Sequence, residues 1–150
     1  MGRIFNTSFE LSLRALVMLG VSGKPIDLEL AYVADFVATY GKTFSISDRN
    51  INGDNQFMFS EFAVRRGIML NALKELVLEG YAQPSATSDG IVYVVTDEGS
   101  RLIETLRSGY ASAYAECVRS ALAYIEGRSL QGVVDEIYRL SRKSARGGQA

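Results

Sequence analysis

Two stretches of the middle third, Leu78-Glu-Gly-Tyr81 and Ile91-Val-Tyr-Val-Val-Thr-Asp-Glu-Gly99, decide how this chain folds. The first closes a long amphipathic segment, and a short β-like piece, Tyr81-Ala-Gln, follows it. A turn then runs from Pro84 to Gly90, with Asp89-Gly90 as its signal. Ile91 to Val95 reads as the return strand. Thr96 stands as the cap of a further helix from Asp97 to about Ser108, with Leu102, Ile103 and Leu106 inward. Helix, hairpin, then Tyr-x-Val-Thr-x-x-Gly opening another helix is the pattern of a winged helix-turn-helix. That fold usually binds DNA or a protein partner and rarely carries catalysis.

Towards the N-terminus, Phe5-Asn-Thr-Ser-Phe-Glu10 holds a capping box, Thr7 with Glu10, flanked by apolar Phe5. A first helix is expected over Ser8 to Val21, with Phe9, Leu13, Leu16, Val17 and Gly20 on one face. Ser22-Gly23 ends it. Pro25-Ile26-Asp27 starts a second helix with Asp27 as its cap, and Leu28, Ala31, Tyr32, Asp35, Phe36 and Thr39 recur at helical spacing up to Gly41. Residues 42–59 form a long irregular loop in which Phe44, Ile46, Ile51, Phe57 and Phe59 are isolated apolar positions. Loops of that length in a small domain tend to be functional or partner-bound. The plainer alternative is a surface excursion anchored by Phe44 and Phe57.

The third helix spans about Glu61 to Leu78, with Ser60 as its cap. At roughly 100° per residue, Phe62, Met69, Leu73 and Leu76 form the core stripe. Opposite lie Val64, Gly67, Asn71, Lys74, Glu75 and Leu78, the face a recognition helix would put into a major groove. It carries one Lys. Arg65 and Arg66 flank the core stripe, where they can bond carboxylates of a neighbouring helix as readily as phosphates. The hairpin tip, Ser85-Ala-Thr-Ser-Asp89, contains no Lys or Arg. Both faces are poorly equipped for DNA.

Beyond Gly109, one helix is expected over about Tyr110 to Glu126 and another over about Leu130 to Arg142, capped by Ser129. Tyr110, Tyr114, Cys117, Val118, Ala121 and Ile125 form a stripe on the first. Leu130, Val133, Val134, Ile137, Tyr138 and Leu140 give the second a very wide apolar face. These helices either cap the domain or form an interface. The organisation expected is a winged-helix domain over 1–108, a helical extension over 109–142 and a tail over 143–150.

Composition bounds the chemistry. The 150 residues suit one domain, and 47% hydrophobic content suits a packed core. Sixteen Lys and Arg against 17 Asp and Glu give a net charge near −1, whereas a stand-alone DNA binder draws most of its affinity from a basic excess. With no His and one Cys, triads, His-based acid–base catalysis and ordinary zinc sites are removed. The carboxylates Asp27, Glu29, Glu61, Glu75, Asp97 and Glu98 are spread out, and no phosphate-binding Gly loop occurs. No enzyme activity, cofactor or metal is expected. The lone Cys117 and the absence of a signal-like or membrane-spanning segment point to a soluble cytoplasmic protein.

Three further stretches carry a family likeness: Ile4-Phe-Asn-Thr-Ser-Phe-Glu-Leu-Ser-Leu-Arg-Ala-Leu16, Asp27-Leu-x-Leu-x-Tyr-Val-x-Asp-Phe36 and Ser60-Glu-Phe-x-Val-Arg-Arg-Gly-Ile68. Across residues 4 to 107 the chain resembles the small middle component of ABC three-component systems, a family overlapping the bacterial defence systems called Lamassu. The resemblance implies a non-catalytic winged-helix subunit that joins an SMC-like ATPase and an effector, often a nuclease, against phage or plasmids. DNA would be met only through that complex.

The partner-binding residues expected on this reading are Arg65, Arg66, Phe57, Phe59, Tyr110 and Tyr114, because Arg and aromatic side chains dominate interface hot spots. The competing reading is a dimeric winged-helix transcription regulator, which would contact DNA through Asn71 and Lys74.

Overall fold

Asp27, Thr96, Ser108 and Ser129 each place a side-chain oxygen on the backbone N–H three residues on, at 2.9, 3.0, 3.0 and 3.1 Å. Each bond satisfies a donor that a helix start leaves without an intrahelical partner. The computed structural model describes residues 8–47, 58–106 and 108–147. Among them are six helices and three strands: α1 (Ser8–Ser22), β1 (Ile26–Asp27), α2 (Leu28–Thr39), α3 (Met58–Leu78), β2 (Ala82–Thr87), β3 (Gly90–Val95), α4 (Asp97–Thr105), α5 (Gly109–Arg128) and α6 (Leu130–Gly147). The chain is mainly helical with a small antiparallel sheet.

Several boundaries differ from the sequence reading. Helix α3 begins at Met58, so Ser60 lies within its first turn rather than capping it. Ser108 is not the end of α4, which stops at Thr105, but the cap of α5. Helix α6 continues to Gly147, past the expected tail boundary. The Thr7 capping box lies outside the described residues.

Leu78-Glu-Gly-Tyr81 ends α3 with a paired bond set: Tyr81 N–H donates to the Leu76 carbonyl at 2.9 Å and Gly80 N–H to that of Val77 at 3.1 Å. This closure needs a left-handed residue, and Gly80 supplies it at φ +85°. The sheet order is β1-β3-β2, all antiparallel, with Ile26 opposite Tyr93 and Ala82 opposite Val95. The hairpin strands are longer than the sequence suggested. Pro84 sits inside β2, tolerated because β2 is an edge strand whose missing donor faces no neighbour. The turn is Ser88-Asp89, locked by Thr87 Oγ1 donating to the Gly90 carbonyl at 2.7 Å. Strand β1 was not foreseen: two residues show no periodicity, and only pairing with β3 defines them.

Gly99 explains the Thr-x-x-Gly spacing. A Cβ there would run into the Tyr81 carbonyl oxygen and lie 2.8 Å from Val95 Cγ2. Thr96 completes the joint, its Oγ1 donating to the Gly80 carbonyl at 2.6 Å. The start of α4 is thus stitched to the end of α3.

Helix α2 runs through the middle of the core, with every residue from Val33 to Tyr40 buried. Residues 14–19 of α1 are also all buried, so α1 has no single inward face. Phe9, expected inward, is 71% exposed in its first turn. An aromatic series crosses the core, Tyr138–Phe62–Phe36–Phe44–Tyr124, with ring centroids 4.9 to 6.1 Å apart. Tyr114, Val118, Ala121 and Ile125 of α5 and Val133 and Ile137 of α6 belong to the same buried cluster. Among the described residues no helix is long and apolar enough to cross a membrane.

Candidate functional site

Arg14 sits in the middle of the apolar run of α1, and Asp35 in the middle of the buried face of α2. Alone, either charge would be prohibitive in the interior. Together they form a two-pronged pair, Arg14 Nε to Asp35 Oδ1 at 2.9 Å and Nη2 to Oδ2 at 3.0 Å. Arg65 of α3 adds a bond from Nη1 to Oδ2 at 2.8 Å, and the Tyr114 hydroxyl of α5 donates to Oδ1 at 2.7 Å. Each carboxylate oxygen therefore accepts two bonds, which fills the acceptor capacity of the group.

Surrounding groups close the cluster. Arg65 Nη1 also donates to Thr39 Oγ1 at 3.1 Å, and that hydroxyl donates to the Asp35 carbonyl at 2.9 Å. The Arg65 guanidinium lies 5.4 Å from the Phe36 ring centre, and that of Arg14 lies 5.9 Å from the Tyr114 ring centre. Burial alone would raise the Asp35 carboxyl, but Arg14 and Arg65 outweigh it and hold the group below its ordinary value. Burial likewise disfavours the Arg14 cation, and Asp35 more than offsets this. The Tyr114 hydroxyl is pushed well above its ordinary value by burial and then by the Asp35 charge. A carboxylate with its lone pairs filled and no path to water is a clamp, not a general base. It ties α1, α2, α3 and α5 at one point.

Two of the six expected partner residues are therefore interior. Arg65 is 3% exposed and Tyr114 1%, both spent on Asp35. Arg66 is at the surface, where Nε donates to Glu29 Oε2 at 2.8 Å. The two arginines do bond carboxylates of a neighbouring helix, α2. Tyr110 is half-buried beside Arg14. Phe57 lies outside the described residues, and of Phe59 only its place in α3 is described. Asn71 and Lys74 are both exposed on the outer face of α3.

That outer face holds the larger surprise. Val64, Ile68, Asn71, Glu75 and Leu78 are all exposed and fall at alternating four- and three-residue steps. Such spacing keeps side chains on one narrow seam, the pattern by which helices pack on helices. Val64, Ile68 and Leu78 are 58, 39 and 81% exposed, half of the large exposed apolar side chains among the described residues. Lys74 is the one cation beside them. The seam suits a protein surface better than phosphates.

Sequence reasoning missed the clamp, though its signal was present. Arg14 interrupts an apolar helix, and Asp35 falls in an apolar stripe. Two opposite charges at interior positions of neighbouring helices ask for each other. Among the described residues no three His, Cys, Asp or Glu side chains could together hold a metal.

Over residues 4–146 the sequence matches the family model described as "ABC-three component (ABC-3C) system Middle Component 2". Searches of curated proteins and of solved structures returned no match.

Proposed function

The chain belongs to the Middle Component 2 family of ABC-three component systems, and from that premise we propose that it is a non-catalytic subunit bridging the other components. In this reading it binds an SMC-like ATPase and an effector nuclease in the cytoplasm, and the assembly acts in Lamassu-type defence against phage or plasmids. Membership in a three-component system means partners of the same system.

The observation that carries it is the seam of α3. The order α1-β1-α2-α3-β2-β3 with strand order β1-β3-β2 supports a winged-helix domain, in which α3 would be the recognition helix. Here the outer face of that helix presents Val64, Ile68 and Leu78, with Lys74 as its one cation. Its chemistry supports a protein partner in place of a DNA groove. Arg66 and Tyr110 remain at or near the surface as further contacts. Co-expression of all components followed by size exclusion tests this. Co-elution with the ATPase supports it; a free chain that instead binds an operator would favour the dimeric regulator.

A further inference from the structure

The C-terminal end of α1, the start of α2 and the second half of α5 enclose a groove of about 440 Å³, closed at one end by the start of α6. Its apolar floor is Val21, Leu30, Leu122, Ile125 and Leu130. Lys24 and Arg119 stand on its rim, both exposed. Among the described residues neither cation has an ion-pair partner. Glu126 is the one carboxylate lining it, leaving the rim with an excess of one positive charge. The volume lies in the range of about 300–1,000 Å³ typical of ligand sites. Ser129, where α6 begins, sits at φ 81°, ψ 150°, a backbone region that is almost confined to glycine. The bend that shapes this end of the groove is thus held against its local preference.

We infer that this groove docks a short acidic segment of another component, one that carries an aliphatic or aromatic anchor. The inference rests on the subunit reading above but concerns a different surface from the α3 seam. From Arg119 to Glu126 the α5 wall is about 10 Å long at 1.5 Å per residue, the length of about three extended residues. The anchor enters the apolar floor, and a carboxylate of the segment lies against Lys24 and Arg119. Two cations without an ion-pair partner among the described residues, set against the single carboxylate of Glu126 beside apolar surface, favour an acidic ligand over a basic one, which the excess positive charge would repel during approach and after docking.

The test uses the complete complex. A photo-crosslinking amino acid placed at Ala123, on the exposed rim, is activated in the assembled system, and the joined peptide is identified by mass spectrometry. In parallel, the double variant Lys24→Glu/Arg119→Glu is compared with Arg101→Glu on α4 for affinity to the co-expressed components. The inference expects a crosslink to a net-acidic segment of another component, at least tenfold weaker binding by the double variant, and binding within twofold of the parent for Arg101→Glu. A crosslink to a basic segment, to a second copy of this chain or to nothing overturns it, as does unchanged affinity of the double variant. If the complex assembles and only α3 variants weaken it, the groove fails while the subunit reading stands. If no complex forms with the parent chain, both fail.

Discussion

Tyr114 on α5 donates its phenolic hydrogen to Asp35 on α2 at 2.7 Å, across 79 positions of sequence. Both side chains are buried, and through Asp35 the bond reaches Arg14 and Arg65. Helix α5, late in the chain, is thereby wired into the centre of the core.

Removing the shared acceptor should be severe. Asp35→Ala leaves two buried guanidiniums and a phenol without their carboxylate, and breaking a buried pair on one side costs about 3–5 kcal/mol. That is a large part of the roughly 5–15 kcal/mol that holds a domain together. Tyr114→Phe removes one bond to a charged acceptor and should cost about 1.5–3 kcal/mol. Urea unfolding monitored by circular dichroism gives both values. Equal, small losses for the two variants would mean that Asp35 is not the hub.

The clamp also sets a pH response. The folded Asp35 carboxyl titrates below its ordinary value of 3.8, because the Arg pair outweighs burial. Its stabilisation is complete above about pH 3.8 and is lost as pH falls through the lower folded value. Tyr114 titrates above its ordinary 10.0, so its contribution is intact below pH 10 and declines as pH rises beyond it. Stability between pH 5 and 8 should therefore be flat with respect to both groups. Denaturation curves should show an acid loss that Asp35→Asn blunts and an alkaline loss that Tyr114→Phe blunts. A steep slope near neutrality that these variants abolish would contradict the assignment.

A fragment covering residues 1–106 should fail to fold cooperatively. It lacks Tyr114 and uncovers the faces of α1 and α2 on which Val118, Ala121 and Ile125 pack. The expected result is a broad urea transition and weak near-ultraviolet dichroism. A fragment unfolding as sharply as the whole chain would show that α5 is an accessory.

The caps of α2, α4 and α6 were readable because Asp27, Thr96 and Ser129 are short polar side chains directly before apolar periodicity. The hairpin was readable from Ile91, Val92, Val94 and Val95, β-branched around the aromatic Tyr93, and from Gly90. Strand β1 and the early start of α3 were not, since pairing and tertiary packing decide them. The expected surface role of Arg65 and Tyr114 reflects a real ambiguity. Arg and Tyr are rich in hot spots and equally suited to satisfying one buried carboxylate, and periodicity cannot tell which. Asp35 settles the matter only in three dimensions.

DNA binding by the isolated chain should be weak and strongly salt-dependent. Lys74 is the lone cation on the outer face of α3, the hairpin tip has none, and few phosphates can be neutralised. A mobility-shift titration at physiological salt should give no sequence-selective complex. A selective one that Asn71→Ala or Lys74→Ala abolishes would favour the regulator.

The most direct test of the account is the affinity of the other components for a Val64→Glu/Leu78→Glu variant. Both side chains are more than half exposed, so the variant should stay folded by circular dichroism and thermal unfolding. Loss of a central hot spot costs about 2 kcal/mol or more, on the order of thirtyfold in affinity. At least that weakening is expected in a titration against the co-purified components of the system, together with loss of the defence phenotype proposed for the assembly. Full affinity and full defence in a folded variant would contradict it, and the seam of α3 would be idle surface.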